Sequence, residues 1–260
     1  MRRGTLRWVV LIGVAVALAG CKSAKPEAEV VAIPTVDAKD PLAAMTLLHQ
    51  GKAMIGEGRV DEGISRYRAA LKLQPTNPTI HNAIGAAELQ RDNATKALES
   101  FNRALQLAPA YSDARNNRGA AYIRLNQLAL AENDFLEVLA DNTYANRTGV
   151  YFNLGSLYLG RGNLAAAEEN LRKAAKPSGP VDAYALLAEV LHKQGKTALA
   201  ESTLREGLNR APERADLALS LAELLFQEGR TGEAEEMFQR VITLAPQSQE
   251  ADTARKRLGG

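Results

Sequence analysis

The sequence repeats itself every 34 residues over most of its length. The interval is visible first in glycines and prolines that stand 34 positions apart: Gly51, Gly85 and Gly119, then Pro75 and Pro109, then Pro212 and Pro246. Between these markers a small residue is followed four positions later by an aromatic residue, as in Ala97 and Phe101. An interval of this length is typical of proteins in which each unit packs only against its neighbours. It therefore restricts the chain to a stack of similar units.

The recurring pattern A-x3-F-x2-A…P, preceded by L-G-x2-Y, resembles the tetratricopeptide repeat. Residues 153–158, NLGSLY, are the fullest copy of the second element. The resemblance implies an all-α fold, a right-handed superhelix of helix-turn-helix repeats, each with two antiparallel helices, A and B. Six repeats are predicted, at residues 44–77, 78–111, 112–145, 148–180, 181–214 and 215–248. Residues 249–260 are predicted to form a short C-terminal capping helix, with Ala251, Ala254 and Leu258 facing inward.

The spacing has a physical cause in the contact between the two helices of each repeat. Small residues at the eighth and twentieth positions let helices A and B approach closely: Gly51/Gly63, Gly85/Ala97, Gly119/Ala131, Gly155/Ala167, Ala188/Ala200 and Ala222/Ala234. The aromatic residue or leucine four positions later is expected to fill the seam to the next repeat. Gly58, Gly162, Gly195 and Gly229 fall at the turn between A and B, where a positive φ is often needed. The proline after helix B ends that helix.

The repeat loses its phase at two places. Two residues are inserted between the third and fourth repeats, where Thr143 stands at the proline position in ADNTYANRTGVYFNLG. The fourth repeat then ends one residue early, in KAAKPSGP. We expect a local change of superhelix geometry around residues 140–150. The insertion is interpreted either as a specialised contact site or as a tolerated loop insertion.

The first 20 residues have the organisation of a secretory signal. Arg2, Arg3 and Arg7 accompany an apolar run of 12 residues, Trp8 to Ala19. A helix of that length spans about 18 Å, which is short of the ~30 Å hydrocarbon core of a membrane. The run is therefore predicted to be a signal-peptide core rather than a membrane span.

The signal ends in Leu18, Ala19, Gly20 and Cys21, which resembles the lipobox of bacterial lipoproteins. The resemblance implies that a diacylglyceryl group joins the sulfur of Cys21, that cleavage follows Gly20, and that the new amine is acylated. Cys21 is the only cysteine, so an intrachain disulfide is excluded, and a free thiol or an uncleaved anchor are the alternatives. By resemblance to enterobacterial sorting, Lys22 in place of Asp favours the outer membrane. No cofactor other than this covalent lipid is predicted.

Residues 21–43 are predicted to be a lipid-anchored tether. The segment contains Pro26, Pro34 and several charges but no helical stripe, and the alternative is a first strand or helix of the fold. Removal of the first 20 residues takes away three Arg and no acidic residue, which leaves 29 basic against 30 acidic side chains. The mature chain is therefore nearly neutral, and no nucleic-acid partner is predicted.

No catalytic or metal site is predicted, and the chain is not expected to be an enzyme or to take a small-molecule substrate. His49, His81 and His192 lie in different repeats, without the spacing of zinc ligands. The acidic residues are scattered over predicted helix surfaces at helical spacing, which is typical of solvated faces.

A protein-binding groove is predicted on the concave face, which the A helices line in tetratricopeptide arrays. Four asparagines from three successive repeats fall on this face: Asn82, Asn116, Asn117 and Asn153. A side-chain amide both donates and accepts, so the four could hold an extended peptide backbone, with Phe152 as an apolar anchor. The alternative is that these asparagines are ordinary solvated surface. Lys52 has no matching asparagine, so the carboxylate clamp of chaperone-binding repeats is not predicted.

The lipobox, the tether and the six repeats together resemble the pilotin lipoproteins of type IV pilus systems, the PilF, PilW and Tgl family. Tyr144, Arg147, Tyr151 and residues 153–155 resemble that family's middle repeats. The resemblance implies an outer-membrane lipoprotein that faces the periplasm of a Gram-negative bacterium. It also implies binding to the secretin subunit, promotion of secretin targeting, multimerisation and stability, and hence pilus biogenesis and motility. The alternative is a passive scaffold lipoprotein for another envelope machine, such as a peptidoglycan-synthesis or β-barrel-assembly accessory.

Overall fold

The computed structural model describes residues 42–259, which fold into α-helices joined by short connections. Thirteen helices follow one another in this range: α1 (Ala43–Gly56), α2 (Val60–Leu73), α3 (Pro78–Gln90), α4 (Ala94–Leu107), α5 (Ser112–Arg124), α6 (Leu128–Ala140), α7 (Arg147–Gly160), α8 (Leu164–Ala174), α9 (Asp182–Lys193), α10 (Thr197–Arg210), α11 (Ala215–Gln227), α12 (Thr231–Leu244) and α13 (Gln249–Leu258). The described residues include no strand. The predicted all-α fold is confirmed.

The helices form six pairs, from α1 with α2 to α11 with α12, and α13 closes the C-terminal end. Each pair is one repeat, so the A helices are odd-numbered and the B helices even-numbered. Asparagine or serine side chains accept a backbone N–H at the start of several helices: Asn77, Asn93, Asn146, Asn163 and Ser248. Four B helices end two residues before a proline, which cannot continue a helix: Pro75, Pro109, Pro212 and Pro246.

The small residues at the A–B contact touch the other helix of their repeat. A Cβ atom added to Gly85 would lie 2.5 Å from Cε1 of Phe101, and one added to Gly119 would lie 2.5 Å from Cε1 of Phe135. No side chain fits in so small a gap without displacing the ring. The ring therefore packs against the glycine of its own repeat. It also reaches the next repeat as predicted, since Phe101 shares a buried cluster with Ala121 of α5.

The turn between helices A and B has the same backbone conformation in all six repeats. Four of the turns use the predicted glycines with positive φ: Gly58 (80°), Gly162 (74°), Gly195 (76°) and Gly229 (75°). The second and third repeats hold Asp92 (φ 59°) and Asn126 (φ 57°) at the same place. Asp and Asn are the side chains that enter this left-handed region most readily, so they substitute for glycine there.

The buried core is more continuous towards the C-terminus. From α8 to α13 the buried side chains form one apolar cluster, which includes Leu171, Leu191, Leu217 and Phe238. The first and second repeats share a separate cluster, and two clusters of three buried residues each link α4 to α5. The stack is therefore held most strongly by apolar contact in its C-terminal half.

Helix α13 covers the end of the stack with alanines and one ion pair. Ala251 and Ala254 are fully buried, as predicted, but Leu258 is 38% exposed, so the prediction that it faces inward is wrong. Leu258 is the last residue of α13, and the side chain that reaches back from this turn is that of Arg257. Arg257 donates two hydrogen bonds of 2.8 Å to the buried carboxylate of Glu223 on α11.

The phase slip lengthens two connections that flank the fourth repeat. Residues 141–146 join α6 to α7 and residues 175–181 join α8 to α9, whereas the other connections between repeats have four residues. The carboxylate of Asp141 accepts hydrogen bonds from Thr143 and Ser112, which fixes the first connection. In the connection between α8 and α9, a Cβ on Gly179 would lie 1.9 Å from the carbonyl oxygen of Ala174, so only glycine fits. The insertion thus changes the local geometry without ending the stack.

Candidate peptide-binding groove

The A helices lie side by side along the inner face of the stack, and between α1 and α3 this face opens into a cleft of about 420 Å³. Its apolar lining includes Leu48, Ile55, Ala83 and Ala86, and its polar lining includes Asn82. In each repeat the second, fifth, sixth, ninth, twelfth and thirteenth positions are predicted to line the concave face, and these residues stand at the fifth, sixth, ninth and twelfth. An apolar cleft with a few amide groups is the kind of surface that binds an extended peptide.

The four predicted asparagines are brought together in two pairs, each of which joins neighbouring repeats. Asn117 Nδ2 donates to Asn82 Oδ1 at 3.0 Å, and Asn153 Nδ2 donates to Asn116 Oδ1 at 3.1 Å. Asn82 Nδ2 in turn donates to the hydroxyl of Tyr111 at 3.3 Å. All of these contacts are partly buried. The asparagines therefore connect α3, α5 and α7.

The pairing leaves part of the hydrogen-bonding capacity of the amides unused. Within residues 42–259, Asn117 Oδ1, Asn153 Oδ1 and Asn116 Nδ2 are not engaged in these pairs. Each side-chain amide has two donor hydrogens and an oxygen with two lone pairs. The row therefore offers donors and acceptors at intervals of one repeat, and such groups can bond to the N–H and C=O groups of a peptide backbone.

Phe152 lies at the end of the asparagine row, where the groove becomes apolar. Its ring is partly buried against the apolar cluster of α8 to α13, as is Leu186 of α9. Phe152 stands at the fifth position of the fourth repeat, where the third repeat has Asn116. Leu186 stands at the sixth position of the fifth repeat, where the fourth repeat has Asn153. Phe152 therefore stabilises the stack as well as lining the groove.

The groove has one positive charge in its first repeat. Lys52 lines the cleft between α1 and α3, together with His49, and it forms no ion pair within the described part of the chain. Among residues 42–259, no three His, Cys, Asp or Glu side chains are grouped so that they could hold a metal ion. The chemistry that the groove offers is that of hydrogen bonding and apolar contact.

A second cleft, of about 380 Å³, opens at the phase slip beside Tyr111 and Tyr144. The hydroxyl of Tyr144 donates to Asp113 Oδ1 at 2.9 Å. Burial of the ring, together with this carboxylate, raises the pKa of Tyr144. The hydroxyl of Thr143 holds the pKa of Asp141 below its ordinary value. These bonds order the inserted segment, and both interpretations of it, contact site and loop insertion, remain predictions.

Three residues beside the asparagine row were not expected from the sequence. Tyr111 accepts a hydrogen bond from Asn82, and Thr79 and Gln90 line the first cleft. Thr79 and Gln90 stand at the second and thirteenth positions of their repeat, which are concave positions, so the pattern contains a signal for them. Tyr111 is the last residue of its repeat, where the pattern assigns no role.

The predicted lipidation site at Cys21, with Leu18, Ala19 and Gly20, lies outside the described residues, as do the signal peptide and most of the tether. Between residues 42 and 259 no helix is both long and apolar enough to cross a membrane. The covalent lipid and the outer-membrane location remain predictions.

The fold and the groove define a class of protein, an α-helical repeat protein with an inner face suited to peptide binding. A family model described as tetratricopeptide repeat matches residues 48–112, 93–147, 116–185 and 152–211. A second model with the same description matches residues 191–258. The chain belongs to the tetratricopeptide repeat family, which is typically a scaffold for protein interactions rather than catalysis.

Solved structures with the same fold include two proteins of type IV pilus systems. The crystal structure of PilW, a widely conserved type IV pilus biogenesis factor, is 23% identical with a TM-score of 0.72, over 81% of this chain and 97% of PilW. PilF of Pseudomonas aeruginosa is 20% identical with a TM-score of 0.67, over 82% of this chain and 96% of PilF. YrrB, a tetratricopeptide repeat protein with an unusual peptide-binding site, is 17% identical with a TM-score of 0.52, over 73% of this chain and 97% of YrrB. At these identities the likeness shows the fold alone.

Proposed function

We propose that this protein is an outer-membrane lipoprotein of the pilotin type. It binds the type IV pilus secretin subunit and promotes its targeting, multimerisation and stability, and thereby pilus biogenesis and motility. The observation that carries the proposal is the share of two type IV pilus proteins that this chain matches in structure. PilW and PilF are matched over 97% and 96% of their chains, so the repeats of this protein account for nearly the whole of each.

The inner groove supports the binding step. A secretin subunit must not form its β-rich channel in the wrong membrane, because exposed strand edges and apolar surface aggregate. In the proposed complex an extended segment of the subunit lies across the asparagine pairs of repeats 2 to 4. Its backbone bonds to the unused atoms of Asn116, Asn117 and Asn153, and its apolar side chains enter the cleft beside Asn82 and the surface at Phe152.

The lipobox supports the location of this step. Two or more acyl chains on Cys21 would anchor the protein stably, whereas a single chain holds a protein only marginally. A lipid-anchored groove on the periplasmic side keeps one secretin subunit beside the bilayer in which the ring has to form.

Co-purification from detergent-solubilised outer membranes tests the proposal. The tagged full-length chain is compared with its Cys21→Ser variant, and secretin is followed in the bound fraction, in the membrane fractions and as assembled multimer. The proposal predicts secretin as the main partner of the parent chain, and loss of outer-membrane localisation, multimer and piliation in Cys21→Ser. Recovery of a peptidoglycan-synthesis or β-barrel-assembly protein in place of secretin would favour the passive scaffold. Unchanged localisation and piliation of Cys21→Ser would overturn the lipoprotein part.

A further inference from the structure

Helix α5 is a polar interruption in the stack. Its buried residues are Ser112, Ala114, Gly119 and Ala121, so it buries no large apolar side chain. The corresponding helix of the sixth repeat, α11, buries four leucines: Leu217, Leu221, Leu224 and Leu225. Because apolar stabilisation grows with the area removed from water, α5 contributes less of it to its contacts than α11 does.

Polar contacts replace the missing apolar ones at this joint. Four hydrogen bonds from side chains of the third repeat reach the second: Arg118 to Asn102, Asn117 to Asn82, Arg124 to Asp92, and Arg115 to the carbonyl oxygen of Pro109. Within the third repeat, Arg118 of α5 also makes a two-bond ion pair with the buried carboxylate of Asp134 on α6, at 2.7 and 2.8 Å. In the last three repeats the position of Arg118 is a buried leucine: Leu154, Leu187 and Leu221. When two surfaces separate, water can replace such hydrogen bonds, but it cannot replace buried apolar contacts.

The segments on either side of the joint have their own apolar cores. The first two repeats share a cluster that includes Leu47, Ile64, Ile80 and Ile84. Another cluster joins α6 to α7, and the large one runs from α8 to α13. Only two clusters of three buried residues cross from α4 to α5, and four of their six members are alanines. Regions with few buried apolar contacts are those that open first in a native protein.

We propose that the joint between α4 and α5 is a hinge, at which the first two repeats move as a body against repeats 3 to 6. The asparagine row crosses this hinge, because Asn82 lies on one side and Asn117 on the other. A peptide bonded to both residues favours the closed arrangement of the joint, in which Asn82 and Asn117 are in contact. This coupling rests on the proposed function, whereas the hinge itself does not.

Electron-spin distance measurements on the mature chain with Cys21→Ser test the hinge without any partner. One labelled pair, Ser65→Cys with Asn133→Cys, occupies equivalent exposed positions of the first and third repeats and spans the joint. The matched control, Glu169→Cys with Glu236→Cys, occupies the same positions of the fourth and sixth repeats. We expect the first distance distribution to be at least about twice as broad as the control. Equal widths would overturn the proposal.

A double substitution that copies an apolar pair from the sixth repeat, called the graft, tests whether the polar character of α5 causes the hinge. Arg118→Leu with Asp134→Met copies the apolar pair Leu221 and Met237 into the third repeat. The graft is expected to narrow the first distribution to the width of the control and to leave the control pair unchanged. A folded graft, with parental helicity in circular dichroism, that keeps the broad distribution would overturn the proposed cause.

A second variant tests the hinge if the graft does not fold. Asn82→Ala with Asn117→Ala removes one of the hydrogen bonds that cross the joint. It is expected to broaden the distribution of the first labelled pair further, because less then holds the joint closed. An unchanged width would show that the polar bonds do not restrain this joint, and would count against the hinge.

Discussion

The amides of Asn82 and Asn117 are bonded across the inner face of the stack, with Nδ2 of Asn117 3.0 Å from Oδ1 of Asn82. The two residues are 35 positions apart, one more than the repeat interval, because the fifth position of one repeat faces the sixth position of the next. Asn116 and Asn153 are 37 positions apart and make the same contact, since the inserted residues lengthen the interval between them. The row therefore continues through the phase slip.

A double-mutant cycle on Asn82 and Asn117 measures this contact. Asn82→Ala, Asn117→Ala and the double variant are unfolded in denaturant, and we expect a coupling free energy of about 0.5–1.5 kcal/mol, the usual range for a hydrogen bond. The cycle on Asn82 and Asn153, which are not bonded to each other, is the control and should show a coupling close to zero. Additive single changes at Asn82 and Asn117 would contradict the pairing.

Close packing at Gly155 makes the fourth repeat sensitive to a single methyl group. A Cβ at this position would lie 2.5 Å from Cγ of Leu171, so Gly155→Ala should lower the free energy of unfolding by about 1–3 kcal/mol. Hydrogen exchange should show the third and fifth repeats loosening before the first and sixth, since each repeat contacts only its neighbours. The control is Gly232→Ala in α12, where an added Cβ has no neighbour within 4 Å and stability should stay the same or rise by up to about 1 kcal/mol, since alanine favours a helix over glycine. Uniform loosening across all six repeats in Gly155→Ala would argue against a neighbour-only stack.

The turn at Asn126 offers a stabilising change. Asn126 holds φ at 57°, a conformation that glycine adopts without steric cost, so Asn126→Gly should raise the free energy of unfolding by about 0.5–1 kcal/mol. Asn126→Val should lower it by about 1–2 kcal/mol, because a β-branched residue is strained there. Gly195→Ala, at the same turn of the fifth repeat, is the matched control and should also destabilise. Thermal unfolding gives the order of stability of these variants and the parent. A stabilising effect of Asn126→Val would refute the conformational argument.

The repeat interval predicted the helix pairs because it reflects a contact made within each unit. Gly85 and Gly119 mark the A–B approach, so the pattern alone located them. The pairing of Asn82 with Asn117 does not follow from the repeat pattern, because the pattern places each residue in the groove but does not show that the fifth position of one repeat faces the sixth position of the next. Leu258 was expected to be buried because α13 continues the apolar spacing, but in the last turn of α13 the side chain that reaches α11 is that of Arg257.

The hydrogen bond between Tyr158 of α7 and Glu132 of α6 should weaken at high pH, when the tyrosine ionises. The Tyr158 hydroxyl donates to Glu132 Oε1 at 2.5 Å, and this carboxylate, together with burial, raises the pKa of Tyr158 to about 12. A raised pKa means that the stabilising contribution is complete below the ordinary tyrosine pKa near 10 and is lost as the pH rises towards 12.

The tyrosinate absorbance that Tyr158 contributes, obtained as the difference from a Tyr158→Phe variant, should therefore develop near pH 12. In Glu132→Gln the neutral amide no longer opposes ionisation, and the titration should move back towards the ordinary pKa. Identical titrations in the parent and in Glu132→Gln would mean that the hydrogen bond does not control the pKa of Tyr158.

The measurement that tests the proposed groove most directly is site-specific photo-cross-linking to secretin in cells. A photoreactive residue replaces Ala120, which occupies in the third repeat the groove position that Ala86 occupies in the second. The control replaces Leu136, a half-exposed residue of the B helix α6. The account predicts a secretin adduct from position 120, none from position 136, and loss of the adduct when Asn82, Asn116 and Asn153 are all changed to alanine. A secretin adduct from position 136 with none from position 120 would contradict it.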